Sequence, residues 1–374
     1  MDADLAPVYE QVMSAARPED VFREFHMVLP ERLLVEHLST EVARFREVLH
    51  SGSYSDPDDV VAASTALQKF ESLYQTALKK ASQGLYALDG YIPLPVPNGG
   101  RKIVVDGVSY TIGQQVYVSE HSTLYVAYFP HDGGHAKALV RVAHTERDNP
   151  FLHNEIRILD RLHRKVADKE LAYWRYLPYV LGRFQAGNRT GVIYRWFEGV
   201  TATDIRFNRL HKDGLDQRHM IWIYDRMINL LGFAHSQSIV HGRIEPDRLL
   251  VRPSNHNVML TGWSQAIYKP AVTGERIVVR SESPFMAPEV KQTGVVGPWT
   301  DIYSLGKSMI WLLGGDPSSN EMPDTVHPKV QRFLLNTVRE NPKARPQNAW
   351  QLYEAQIRLK DSLWERRFIH LNLA

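Results

Sequence analysis

One short stretch of this 374-residue chain, residues 241–251, concentrates side chains that could do chemistry. It holds a histidine, two arginines and two carboxylates, namely His241, Arg243, Arg248, Glu245 and Asp247. A guanidinium stays protonated in proteins, so neither arginine can act as a general base. The arginines could bind an acidic peptide or a phosphate, and the carboxylates could either pair with them or bind a metal ion. Which of these uses applies depends on the secondary-structure elements that position this stretch.

The N-terminal part of the chain, residues 1–92, is predicted to be helical. Apolar residues recur there every three or four positions in two stripes, which are separated by a polar turn at 51–57. Two such stripes joined by a short turn predict an antiparallel helical hairpin. The stripes could pack on each other and on the neighbouring domain, or they could offer a docking surface to a partner. The Pro- and Gly-rich residues 93–101 are predicted to be a linker.

The remainder of the chain predicts an α+β architecture with a β-rich part and a helical part. Short β-branched and aromatic runs dominate residues 102–198, which include one helical pattern at 150–165. Residues 199–374 carry mostly helical patterns, at 216–236, 300–314, 327–340 and 347–362. We therefore expect a small β-rich unit followed by a larger helical one.

Composition and charge exclude several classes of function. Lys and Arg total 44 against 42 for Asp and Glu, a balance that gives no reason to expect nucleic acid or a membrane surface as a partner. The absence of cysteine excludes disulfides and thiolate metal sites and fits a reducing compartment. No apolar run approaches the roughly 20 residues of a membrane helix. A cytoplasmic protein is the expectation.

The order of several motifs resembles the two-lobed fold of protein kinases. Residues 241–251 are similar to the catalytic loop of that family, H-R-D-L-x-x-x-N, with His241 in its usual place. Ala287-Pro288-Glu289 matches the A-P-E motif, and Asp301 begins a pattern typical of the buried helix that braces the catalytic loop. The resemblance implies that Arg345 pairs with Glu289. These four frame residues, His241, Glu289, Asp301 and Arg345, imply a kinase-like fold over residues 102–362.

The same resemblance implies that the catalytic residues themselves have been replaced. Arg243 stands at the position of the catalytic base, Arg248 at that of the metal-binding Asn, and Gly262 at that of the metal-binding Asp. Arg141 takes the place of the strand Lys that pairs with the helix Glu, here Glu155. The loop at 112–122, which would cover the phosphates, has one glycine and carries an acidic residue, Glu120.

The arginine replacements allow two interpretations. In the first they are structural, with Arg141 paired to Glu155 and Arg243 paired to Asp301. In the second, Arg141, Arg243 and Arg248 converge on the former nucleotide cleft and bind an acidic peptide or a phosphate. Lys137, four residues before Arg141, is a weaker candidate to reach the cleft in place of the missing Lys.

The resemblance and its departures predict a pseudokinase, a non-catalytic protein-binding or scaffolding module without cofactor or metal. Neither ATP nor magnesium is expected to bind. Another protein is the expected partner, with the N-terminal helices as the candidate contact surface. The alternative is an atypical ATP-dependent transferase in which Glu245 or Asp247 binds the metal. The pattern of residues 241–251 looks more like kinase-like proteins of bacteria or bacteriophages than like those of animals.

Overall fold

A computed structural model of the chain describes residues 42, 46, 64–65, 67–72, 100–131, 134–168, 172–253, 255–279, 282–364 and 371–373. These residues belong to two compact units, which are taken separately.

The smaller unit includes the described residues between 42 and 72. These residues are helical; Val42 and Phe70 are buried, and the guanidinium of Arg46 donates to the Glu71 carboxylate at 2.7 Å. The described part of both predicted apolar stripes is therefore helical. The rest of the predicted helical hairpin, and the predicted linker up to residue 99, lie outside the described residues.

The β-rich lobe of the larger unit is built on a six-stranded sheet in the order β1-β2-β3-β4-β6-β5. Its strands are β1 (Arg101–Val105), β2 (Val108–Val118), β3 (Ser122–His131), β4 (Gly134–Ala143), β5 (Val180–Ala186) and β6 (Arg189–Arg195). β1 begins at Arg101, so the last residue of the predicted linker already belongs to the sheet. On β4 the alternating residues Ala138 and Val140 are buried, which is the period of a strand with one face on the core.

One long helix, α1 (Asn149–Asp168), packs against this sheet. Its buried face is set by spacing, because residues three and four positions apart lie on the same side of a helix. Leu152, Leu159 and Leu162 are fully buried on that face. Glu155 lies three residues after Leu152 and four before Leu159, so the same face carries its carboxylate into the sheet.

The helical lobe follows β6 and contains seven helices in the described part of the chain. They are α2 (Ala202–Phe207), α3 (Gln217–Ser236), α4 (Pro270–Thr273), α5 (Pro288–Thr293), α6 (Pro298–Leu312), α7 (Pro328–Thr337) and α8 (Ala349–Leu363). The helices α3 and α6 are buried over most of their length, and a helix buried all round is typical of a core. The short strands β7 (Val200–Thr201), β8 (Ile239–Val240), β9 (Leu249–Arg252), β10 (Asn257–Leu260) and β11 (Ile267–Tyr268) form two small sheets.

The prediction of an α+β, two-lobed fold is confirmed. The five longer helices expected from the sequence are found within a few residues of their predicted bounds. The predicted boundary at 198–199 falls between β6 and β7. No helix among the described residues is long and apolar enough to span a membrane.

Candidate functional site

The loop between β8 and β9 is held in place by one buried carboxylate. Asp301, near the start of α6, is fully buried and accepts hydrogen bonds from the backbone N–H of His241 at 2.9 Å and of Gly242 at 2.7 Å. His235 lies 2.9 Å from the same carboxylate through its Nε2. Gly242 has a φ of 78°, a left-handed conformation that glycine adopts without strain. The Asp301 carboxylate at the start of α6 therefore fixes the path of residues 241–243.

His241 has the contacts of a neutral, structural histidine. Its Nε2 lies 3.0 Å from the Thr261 carbonyl, and its Nδ1 lies 3.3 Å from the backbone N–H of Arg243. One ring nitrogen must donate and the other must accept, which is the pattern of an uncharged imidazole. Burial lowers the pKa of His241 to about 4. The ring also packs edge-on against Trp263, with the centroids 4.7 Å apart.

Arg243, at the position predicted for the base, forms ion pairs with two carboxylates. Its Nε lies 3.3 Å from Glu245 Oε1, and its Nη1 lies 3.5 Å from Oε2 of Glu120, a residue in the loop between β2 and β3. This differs from the expected pairing with Asp301, whose oxygens face the backbone N–H groups and His235. The Glu120 contact joins the two lobes across the front of the cleft.

Arg248 fills the place where a metal-binding side chain would lie. Its Nη1 donates to the Gly262 carbonyl at 3.1 Å, and its Nε lies 3.7 Å from Glu245 Oε2. Gly262 has a φ of 81°, and a Cβ added there would collide with the Arg248 guanidinium. A cation therefore occupies the space in front of residue 262. Magnesium requires several oxygen ligands, so these two residues do not fit a magnesium ion.

Arg141 and Glu155 form a buried ion pair between β4 and α1. Both residues are more than nine-tenths buried, and Arg141 Nε also donates to the Ser122 hydroxyl at 2.6 Å. Burial is the largest single influence and opposes the charge on Arg141, but Glu155 and Tyr194 together outweigh it, so the pKa of Arg141 is raised. Burial, together with the charge of Glu155, raises the pKa of Tyr194 beside the pair well above its ordinary value. The pairing expected from the sequence is the one observed.

The tip of the β2–β3 hairpin is folded tightly and fastened to the lobe behind it. The Ser119 and Ser122 hydroxyls lie 2.8 Å apart, and the Ser119 N–H donates to the Ser122 carbonyl at 2.8 Å. Next to them, His121 is buried, stacks on Phe151 at 3.5 Å and approaches Asp148 at 3.1 Å through its Nδ1. A loop fixed in this way leaves little freedom for the backbone to wrap around a phosphate.

A second contact crosses the mouth of the cleft. The Tyr117 hydroxyl on β2 donates to Asp247 Oδ2 at 3.0 Å. Burial and the neighbouring Asp247 charge raise the pKa of Tyr117. Together with the Glu120–Arg243 pair, this bond ties the hairpin tip to the 241–248 loop. We call these two contacts the cleft clasp.

Behind the cleft clasp a cavity of about 280 Å³ remains between the lobes. Its walls are mainly apolar, and they include Val116, Leu124, Leu139, Leu250 and Met259. Arg141 and Arg248 also face it, but each already has a partner within the chain. The structure therefore does not show Arg141, Arg243 and Arg248 converging on an anion, and that interpretation stays a prediction.

Lys137 does not take over the role of the missing Lys. Its ammonium lies over the Trp196 ring, 5.0 Å from the centroid, and it is not among the residues that line the cavity. Among the described residues, no group of three or more His, Asp or Glu side chains is arranged to hold a metal ion.

The remaining frame residues form a compact network in the helical lobe. Arg345 makes a two-pronged ion pair with Glu289, with N–O distances of 2.8 and 2.9 Å. The Thr300 hydroxyl donates to the same carboxylate at 2.9 Å, and the Arg345 guanidinium lies over the Tyr303 ring. A bidentate, buried arginine–carboxylate pair fixes both partners in orientation. This network holds the start of α5 against α6.

Several residues of the site carried no signal in the sequence. Asn154 on α1 donates to the carbonyls of Ser264 and Ala266 at 3.0 and 2.9 Å, which ties α1 to the segment after Gly262. Tyr117 and Ser122 reach their partners only after the hairpin has folded. Polar residues of these types are common on surfaces, so only the fold reveals their contacts.

Known proteins with detectable similarity are protein kinases. The serine/threonine-protein kinase CST20 of Candida albicans is 29% identical over 134 residues, which are 35% of this chain and 10% of that protein. The serine/threonine-protein kinase PknB of Mycolicibacterium smegmatis is 24% identical over 196 residues, 46% of this chain and 30% of the relative. PrkC of Bacillus subtilis is 23% identical over 215 residues, 51% of this chain and 33% of the relative.

The similarity thus spans about a third or less of each of these relatives. No family model matches the chain. The sequence similarity and the two-lobed architecture agree, and the chain has a protein kinase-like fold.

Proposed function

We propose that this chain is a pseudokinase, a kinase-like protein that binds or scaffolds another protein and does not transfer phosphate. The observation that carries the proposal is the position of Arg248, whose guanidinium donates to the Gly262 carbonyl and lies against the place that a Cβ of residue 262 would take. Phosphoryl transfer on this fold relies on magnesium to neutralise the charge that develops on the phosphates. A cation fixed in the same space repels magnesium and offers it no oxygen ligand.

The remaining parts of the former site support the same conclusion. Arg243 cannot accept a proton, and loss of a general base alone typically lowers a rate by about 10² to 10⁴. The guanidinium of Arg141 is engaged by Glu155 and Ser122 and is not directed at a phosphate. Glu120, in the loop that would cover a triphosphate, is paired with Arg243, and its carboxylate offers a phosphate no hydrogen-bond donor.

The proposed partner is a protein, and the N-terminal region is the proposed place of contact. Cytoplasmic location and a bacterial or bacteriophage type belong to the same proposal. The lack of cysteine supports the cytoplasmic location. The similarity to PknB and PrkC, whose source organisms are bacteria, supports the bacterial or bacteriophage type. CST20, which comes from a yeast, is also similar.

Two experiments test the two halves of this proposal. Transfer of radiolabelled phosphate from ATP to the chain itself or to a generic protein substrate should not exceed that of a heat-denatured control. Affinity capture from the source cell should retain a partner on the full chain and lose it when residues 1–92 are removed. Transfer above the control would contradict the loss of catalysis, and equal capture by both forms would contradict the N-terminal contact.

A rewired ATP-dependent transferase is the second candidate. The cavity behind the cleft clasp and the nearby carboxylates of Glu245 and Asp247 favour it, because an altered metal site could use these oxygens. If this reading is correct, the chain transfers labelled phosphate and Asp247→Asn abolishes the transfer. Our proposal predicts no transfer by either form.

A further inference from the structure

A groove of about 470 Å³ lies between α1 and β5, on a different side of α1 from the Glu155 carboxylate. It is open to solvent, and its charged lining comes from Arg157, Asp160 and Arg164 on α1 and from Arg183 on β5. We call it the α1–β5 groove. Ile156 and Thr190, both buried, contribute to its floor. None of these residues takes part in the contacts of the cleft.

The positive charge of the groove follows from helical spacing. Arg157, Asp160 and Arg164 are separated by three and four positions, so all three lie on one side of α1. Asp160 is the one carboxylate among the described residues that line the groove, and it is paired with Arg183. Arg157 donates to the Asn154 side chain and Arg164 to the Asp160 carbonyl, both of which are uncharged acceptors. Two guanidinium charges in the groove are therefore not neutralised by a lining carboxylate.

The shape of the groove suits an extended chain. β5 stands at the end of the sheet order, and the groove is lined by its three consecutive residues 183–185. Three consecutive strand residues along one wall make the groove elongated in the direction of the strand, which is a form that an extended segment can fill.

The distance between the two arginines sets the spacing of the groups they can bind. Arg157 and Arg164 are seven residues apart on the helix, which corresponds to about 10 Å at 1.5 Å per residue. An extended chain covers that distance in about three residues.

We propose that the α1–β5 groove binds an extended, acidic segment of a partner protein, with two carboxylates about two to four residues apart on Arg157 and Arg164. This inference rests on the proposed scaffolding function and adds to it a second contact surface, separate from the N-terminal region, together with the chemistry of the segment that this surface recognises. The segment lies in the groove beside residues 183–185 of β5, and its carboxylates face α1. Arg183 stays paired with Asp160 at one side of the groove.

The test uses the full chain and a display library of random dodecapeptides. Selected peptides should be enriched in pairs of Asp or Glu two to four residues apart, and their binding should weaken as salt is raised. Fluorescence anisotropy with one labelled peptide should show binding about tenfold weaker to a chain carrying Arg157→Glu and Arg164→Glu. Asp160→Asn removes the competing carboxylate and should tighten binding about two- to fourfold.

A matched variant controls for general effects of charge. Arg189→Glu reverses an exposed arginine that precedes Thr190 and does not line the groove, and it should leave the affinity within about twofold. Thermal melts of all variants establish that they fold, and the milder pair Arg157→Gln with Arg164→Gln replaces any variant that does not. Selected peptides without acidic enrichment, or equal weakening by the groove and control variants, would overturn the proposal. Either result leaves the absence of phosphoryl transfer, which is measured separately, unaffected.

Discussion

Replacing Arg141 by Met should destabilise the kinase-like unit strongly, because it leaves a buried charge without its partner. Methionine keeps much of the length and apolar bulk of the arginine stem but removes the guanidinium. Glu155 is 3% exposed and would lose its ion pair, while Ser122 would lose a hydrogen-bond donor. Breaking one side of a buried ion pair typically costs about 3 to 5 kcal/mol. For a unit of this size that loss corresponds to a melting temperature lower by roughly 6 to 20 °C.

The assay is urea unfolding at 25 °C, followed by the fluorescence of the eight tryptophans. The double variant Arg141→Met with Glu155→Leu should recover most of the loss, since an apolar pair of similar volume often replaces a buried ion pair at little cost. Arg218→Met is the matched control, because it breaks the exposed pair with Asp216 and should cost at most about 1 kcal/mol. A loss below 1 kcal/mol for Arg141→Met, or a double variant as unstable as the sum of its parts, would refute the argument.

Three further predictions concern the loop and the cleft. Gly262→Asp should not create a magnesium site, because Arg248 fills the space. It should lower the free energy of unfolding by about 1 to 3 kcal/mol, because the φ of residue 262 is 81°. Adding Arg248→Asn should recover part of this loss in urea unfolding. His241 has its pKa lowered to about 4 from an ordinary 6.5, so it contributes stability that is complete above pH 6.5 and lost as pH falls towards 4. The loss should amount to about 3 kcal/mol in urea titrations and be smaller in His241→Asn. Tyr117→Phe removes the bond to Asp247, and hydrogen exchange at Ser119–Ser122 should become about two- to fivefold faster with stability changed by less than about 1 kcal/mol.

Each of these three predictions has a result that would contradict it. Magnesium binding by the single variant Gly262→Asp would show that Arg248 does not block the position. A wild-type chain that loses no more stability than His241→Asn between pH 6.5 and 4 would show that His241 is not held neutral by the fold. Unchanged exchange in Tyr117→Phe would show that this half of the cleft clasp does not restrain the hairpin.

Much of the scaffold could be predicted because its residues sit in regular elements. The spacing of Leu152, Glu155 and Leu159 places all three on one helix face, and that is enough to direct Glu155 towards a strand arginine. The kinase-like order of motifs gave the two lobes and the Glu289–Arg345 pair. The same argument applies to any contact in which the spacing within one helix sets the direction of a side chain and the fold places its partner.

The contacts across the cleft could not be predicted in the same way. Glu120 and Arg243 are separated by 123 residues, and their meeting depends on how the lobes close. The expected Arg243–Asp301 pair does not form because the Asp301 oxygens accept from two backbone N–H groups and face His235. The sequence shows which charges exist, but competition among several partners for one carboxylate is decided by geometry.

Calorimetric titration of the full chain with ATP measures whether the cleft can hold ATP together with magnesium. Titrating ATP in the presence of magnesium should give no more heat than titrating ATP in the presence of a chelator. The reason is that Arg248 occupies the metal position and Gly262 supplies no side chain. Magnesium-dependent binding with a Kd in the range of about 1 µM to 1 mM, as in ordinary enzymes, would contradict the account.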